Sequence, residues 1–197
     1  VLFELDYWEA FFNTLLISLL CGLLQTFVCC LIGYGFAKFK FKGRNILFLC
    51  VIITMLVPHD TLLLAMFMKF RYFDIFGILG LLGVENLPNL INTEWPLYIL
   101  SLTGLAFKNG LYIFIFRQFY KGVPDELEEA AYIDGTGVFE TFFRIILPLS
   151  IPMMTTVFMF SFSWQWTDTF YTAPPFFTTS GVHLLPGIVE MPVSLKL

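Results

Sequence analysis

The chain has 197 residues, 58% hydrophobic and 13% charged, with 25 phenylalanines and a mean hydropathy of +0.80. That is more apolar surface than one water-soluble core of this length can bury, so composition excludes an ordinary soluble domain and points to an integral membrane protein. The net charge is −4 and the basic residues are not massed into one footprint, which excludes nucleic acid as a partner.

Val1 to Ala10 sets Glu4, Asp6 and Glu9 beside Tyr7 and Trp8, a composition suited to the outer interface. A first span is expected over residues 11–36, where Gly22, Gly33 and Gly35 would let another helix approach closely. Lys38, Lys40, Lys42 and Arg44 follow as a solvated loop, cytoplasmic by the positive-inside rule. A second span is expected over 46–68. Pro58 removes an amide donor there and disfavours helix at Val57, so the helix kinks or ends near the outer face. His59 and Asp60 read as polar residues at a membrane exit, or as groups that touch a solute. Residues 69–95 form an outer region, with Ile75 to Leu82 packed on the interface.

A third span is expected over 96–116, and it contains Lys108-Asn109-Gly110. A lysine in the bilayer costs roughly 3 kcal/mol. Lys108 is a pathway-lining cation, or the helix is broken beside the pathway, or the span starts later and Lys108 lies near the outer surface. Arg117 and Lys121 mark a second cytoplasmic exit. The last visible span is 145–166, with Arg144 at its cytoplasmic start and Trp164 and Trp166 as an aromatic belt at its outer end. After Asp168 the chain is outside, through Pro174-Pro175, Gly181, Pro186 and Pro192. Cys21, Cys29, Cys30 and Cys50 lie in apolar runs without metal-ligand spacing and read as reduced packing residues. The whole reads as an all-α membrane protein, a single multi-span helical bundle over 1–197. Val1 opens without a basic segment, so no signal peptide is expected, and both ends look cut.

Between the third and fourth spans lies an acidic insert, Val123 to Arg144, offered to the water phase. Pro124 fits the first turn of a helix, and Asp125, Glu126, Glu128 and Glu129 are favoured there by the helix dipole. Val123, Leu127 and Ala131 fall on one stripe. Ala130 and Ala131 leave a flat region for another surface, and Asp134-Gly135 ends the helix in a turn. A second short helix, Val138 to Arg144, carries Phe139, Phe142 and Phe143.

Glu129-Ala130-Ala131, three residues, Gly135, nine residues, then Ile145-Ile146-Leu147-Pro148 resembles the cytoplasmic coupling motif, the EAA loop, of permease subunits of ATP-binding-cassette (ABC) importers. Much of the remaining chain resembles the carbohydrate branch related to the second membrane subunit of the maltose transporter. Asn13-Thr14-Leu15, Tyr34-Gly35-Phe36-Ala37-Lys38-Phe39, Phe41-Lys42-Gly43-Arg44, Met55-Leu56-Val57-Pro58 and Phe114-Ile115-Phe116-Arg117-Gln118-Phe119 carry that likeness. Trp164-Gln165-Trp166-Thr167-Asp168 departs from the family's usual Trp-Asn-Asp there, and Gly77 to Trp95 is longer than usual.

The resemblance implies a type I importer fold, in which Glu129 contacts an ATPase subunit, Ala130 and Ala131 permit close approach, Asp134 and Gly135 set the turn, and Ile145, Leu147 and Pro148 start the next helix. It implies a second permease subunit, two ATPase subunits that bind ATP-Mg, an extracytoplasmic solute-binding protein, and residence in a prokaryotic inner membrane. The family has about six spans, so one before Val1 and one after Leu197 are expected. No G-x-x-x-x-G-K-[ST] sequence occurs, so this chain is expected to bind no cofactor and to hydrolyse no ATP itself. Lys108, Asn109, Trp164, Gln165, Trp166 and Asp168 are the candidate substrate pathway for a sugar. The rival readings are the same machinery moving a polyamine, phosphate or peptide, a secondary transporter, and a membrane-bound enzyme or signalling subunit.

Overall fold

The computed structural model describes residues 7–74, 78–81, 83, 87–170 and 184–186. The expected acidic opening before Tyr7, much of the interfacial segment 75–82 and most of the stretch after Phe170 lie outside these residues.

One helix organises the rest. Helix α1 spans Tyr7–Lys38, about 48 Å at 1.5 Å per residue. Among the described residues it alone is long and apolar enough to cross a membrane unaided. Its inward positions recur every three or four residues and are small or weakly polar: Thr14, Ser18, Cys21, Gly22, Thr26 and Gly33. Such a stripe lets neighbouring backbones come close. A Cβ on Gly33 would lie 2.5 Å from the Cβ of Phe116, and one on Gly22 would lie 3.2 Å from the Phe158 ring. Gly35, expected to share that role, faces open space.

The expected helix over 46–68 is two. Helix α2, Arg44–Leu56, stops before Pro58; a 3-10 turn, His59–Leu62, leads into α3, Leu63–Arg71. A short α4, Ile78–Leu81, follows. Cys50 on α2 is exposed, unlike the three buried cysteines of α1, so it is not a packing residue of this chain. The expected helix over 96–116 is also two: α5, Trp95–Thr103, and α6, Asn109–Lys121. The break is made by Gly104, which takes φ +73° and returns its N–H to the Leu100 carbonyl. Lys108 caps α6 at this break and Asn109 is its first residue.

Helix α7, Glu126–Ile133, and α8, Val138–Thr141, form the insert. A π-turn, Phe142–Ile146, and a short α9, Leu147–Leu149, lead to α10, Ile151–Trp166. The segments 138–149 and 151–166 meet at 73°. Pro148 lies before this bend, so the long helix does not start there; it starts at Ile151, with Pro152 in its first turn.

The bend is held by hydroxyls. Ser150 is fully buried and its Oγ donates to the Ile146 carbonyl at 2.6 Å. With that proton committed, the Tyr120 hydroxyl at 2.8 Å is the donor to Ser150 Oγ, and the Cys30 thiol, 2.9 Å from Tyr120 Oη, donates in turn. One apolar core surrounds this chain of bonds, with Tyr34, Phe116, Phe142 and Val157. A second core lies toward the other end of α1, around Ile17, Phe70, Leu97 and Leu100.

Candidate functional site

Two places carry polar groups that packing alone does not require. The first is the insert. Its opening segment buries Val123, Glu128 and Ala131, while Leu127 points outward, so Val123, Leu127 and Ala131 do not act as one stripe. The cause is Lys38. Expected in a solvated loop, its side chain is only 6% exposed. Its ammonium donates to the Val123 carbonyl at 2.7 Å and to Asp125 Oδ1 at 2.6 Å, and stands 4.0 Å from Glu128 Oε1. Lys40 and Lys42 stay exposed as expected. Pro124 precedes the helix instead of lying in its first turn, and Asp125 occupies the cap position while its carboxylate serves Lys38.

The turn between α7 and α8 is a complete Schellman closure. Gly135, at φ +84°, donates its N–H to the Tyr132 carbonyl, and the Thr136 N–H reaches the Ala131 carbonyl. Thr136 Oγ1 adds a bond to that same carbonyl at 2.7 Å. Ala131 is therefore an inner residue, 4% exposed, and offers no flat surface to a second protein. Glu129, Ala130 and Asp134 are outward. Of the three insert phenylalanines only Phe142 enters the core, its ring 4.9 Å from Tyr34. Ile133 is 85% and Phe139 81% exposed, on an insert that also exposes Glu126, Glu129 and Asp134. Ile145 and Leu147 are half-buried and Pro148 exposed; the fully buried residue of that run is Ile146.

The two carboxylates beside Lys38 are pushed in opposite directions. The Lys38 hydrogen bond and charge hold Asp125 below the ordinary carboxylate range, helped by Lys40. Burial raises Glu128, against the lowering pull of Lys38 and Tyr34. Asp125 thus fixes the insert above its unfolded value of about 3.9, and that contribution is lost as pH falls through its lower folded value. Glu128 has the opposite sign: its ionisation costs stability as pH rises past about 4.3 toward its higher folded value. A nitroxide at Ala130 is expected to stay restrained on acidification to about pH 4 and to loosen only below it. Asp125→Asn removes that low-pH step; a step that persists unchanged in Asp125→Asn contradicts the assignment.

The second place is a cavity of about 240 Å³ between α1, the α5–α6 break and the end of α10. Lys108, Trp164, Gln165 and Asp168 all line it, with Gln25 and Ser161. The Lys108 ammonium sits 4.0 Å from the centroid of the Trp164 ring. Gln25 is buried and joins three helices: its amide donates to Ser101 Oγ at 3.1 Å, and its Oε1 accepts from Ser161 Oγ at 2.9 Å. Two expected pathway residues are elsewhere. Trp166 packs on Phe11 and Phe162. Asn109 is fully buried outside the cavity lining, its carbonyl 3.8 Å from the Cys29 thiol.

The model for binding-protein-dependent transport system inner membrane components matches residues 30–185, which include the insert and most of the cavity. The chain belongs to this family. Similar inner membrane components include the arabinooligosaccharides transport system permease protein AraQ of Bacillus subtilis, 34% identical over 149 residues, which are 74% of this chain and 45% of AraQ. The galactooligosaccharides transport system permease protein GanQ of the same organism is 29% identical over 192 residues, 98% of this chain and 59% of GanQ. The chain spans about half the length of the curated relatives it matches. A chain in the crystal structure of a bacterial ABC transporter involved in the import of the acidic polysaccharide alginate superposes with a TM-score of 0.64 at 18% identity, covering 84% of this chain and 51% of that one. The helical arrangement is thus the fold of an ABC importer chain.

In this inner membrane component, sequence reasoning missed Lys38, Glu128 and Gln25. A side-chain amide at the middle of an expected span was the available signal for Gln25. Nothing in the spacing of Lys38, Lys40 and Lys42 marks which of them turns inward.

Proposed function

We propose that the chain is the membrane-spanning permease subunit of an ATP-driven importer for a sugar or oligosaccharide. The observation that carries this reading is the insert. It exposes Ile133 and Phe139 as well as several carboxylates, at no benefit to the chain's own core, which is the chemistry of a docking surface. On this reading two ATPase subunits, holding ATP-Mg, dock there. A second permease subunit completes the pathway through the inner membrane, and an extracytoplasmic binding protein delivers the solute. Residues 11–36, 46–68, 96–116 and 145–166 are the crossing regions, the second, third and fourth each bent or broken. Their rocking as the ATPases close gives alternating access. Catalytic groups are not required of this chain.

The cavity supports the solute class. An indole beside a cation, amides, a hydroxyl and a carboxylate suits the apolar faces and polar edges of a sugar. The relatives named for arabino- and galactooligosaccharides point the same way.

The test is a cysteine at the outward Ala130, paired with single cysteines on the ATPase that co-purifies with the full-length protein. Crosslinking that changes with ATP is the expected result. An ATPase that binds without reaching Ala130, or no ATPase at all, rejects the reading.

A further inference from the structure

Three residues of α1, Cys30, Tyr34 and Lys38, stand four apart and so form one stripe at the insert end of the helix. Each touches a different part of the path from α6 through the insert to α10. Cys30 meets Tyr120, which holds Ser150 at the bend. Tyr34 packs on Phe142 in the π-turn. Lys38 takes the start of the insert at Val123 and Asp125. Thirteen residues back along the same unbroken helix, about 20 Å, Gln25 ties α1 to α5 and α10 at the cavity.

We propose that Lys38 is the positioning residue of this transporter: it clamps the insert to α1, so that a displacement of the insert reaches the Gln25 cavity as a rigid movement of one helix. The clamp rests on the importer reading for its purpose, not for its geometry.

A lysine at a helix C-terminus has two simpler explanations, attraction to the helix dipole and the general cytoplasmic excess of cations. Neither requires burial. Lys38 gives up the mobility of a long side chain, which costs rotamer entropy, and it does so facing acceptors of the insert. One acceptor is a backbone carbonyl just before Pro124, near the end of α6, where helix carbonyls lack partners. Lys40 and Lys42 satisfy the general rule without such contacts. Of the three stripe residues, Lys38 alone binds through charge, so its contribution separates from packing by substitution.

The experiment uses the full-length protein with Cys50 replaced by serine and a nitroxide at Ala130, first alone and then in its complex with the partner ATPase. Lys38→Met is expected to raise the freely mobile label population about tenfold, the size expected for losing a charge-assisted hydrogen bond. Lys38→Arg keeps the label restrained. In the complex, a second label pair at Leu56 and Met159, both exposed, reads the movement driven by ATP. Lys38→Met loses most of that movement while the ATPase still co-purifies, and Lys38→Arg retains it.

Equal mobility in wild type and Lys38→Met overturns the clamp, as does equal loss in the methionine and arginine variants. Should Lys38→Met fail to accumulate, Asp125→Asn, at an exposed position, is expected to free the label in the same direction; a wild-type spectrum there also overturns it. If no ATPase binds the wild type, the importer reading fails, and the label at Ala130 in the isolated protein still decides the clamp.

Discussion

Truncating Phe139 to alanine is expected, on the importer reading, to weaken retention of the proposed ATPase subunit about 30-fold or more while leaving the chain's own stability unchanged, and truncating its near neighbour Phe142 to do the reverse. Phe139 is almost wholly in solvent and makes no core contact, so the folded chain loses little without it. A central aromatic of a docking surface costs about 2 kcal/mol or more when removed, which is that 30-fold. Phe142 is buried against Tyr34 and Phe143, and Phe142→Ala should lower stability by roughly 3–5 kcal/mol. Thermal melts in detergent and ATPase pull-downs on the two variants separate the effects. A Phe139→Ala protein that melts early yet keeps its ATPase contradicts the insert's assigned role.

The second large effect belongs to the α1–α6 contact. Gly33→Ala would place a methyl 2.5 Å from Phe116 Cβ and 3.1 Å from the Arg117 nitrogen, both on the facing helix and neither at the end of a flexible chain. The helices must separate, at a cost of roughly 1–3 kcal/mol, with Gly33→Leu worse. Gly35→Ala, two residues on with nothing within 4 Å, should instead stabilise the helix by up to about 1 kcal/mol. Opposite shifts in melting temperature are the expected outcome; two shifts of the same sign would show that the contact does not govern packing here.

These pairs also mark what the sequence made legible. The long first helix, the interruption at Pro58 and the turn at Gly135 follow from local chemistry: unbroken apolar length, a missing donor, and a residue free to take positive φ. What local chemistry does not fix is which of two like neighbours turns inward. Gly33 and Gly35, Ala130 and Ala131, Lys38 and Lys40, and Phe139 and Phe142 are each alike in type and opposite in environment, and only the partner helix decides. Lys108 is the oddity of its segment in the sequence, yet the break there is made by Gly104, whose amide donates to Leu100 within α5. Gln25 belongs to the same class, since its value comes from serines 76 and 136 residues away in sequence.

The 73° bend at Ser150 has a mechanical consequence. Its two arms, 12 and 16 residues, are about 18 and 24 Å long, a crank with Tyr120 as its pin. If the short arm is tipped by about 10°, the end of the long arm near Trp164 sweeps about 4 Å, wider than a water molecule. The same tip moves the end of the short arm by about 3 Å, so a displacement at the insert arrives at the far end redirected through the bend and about a third larger.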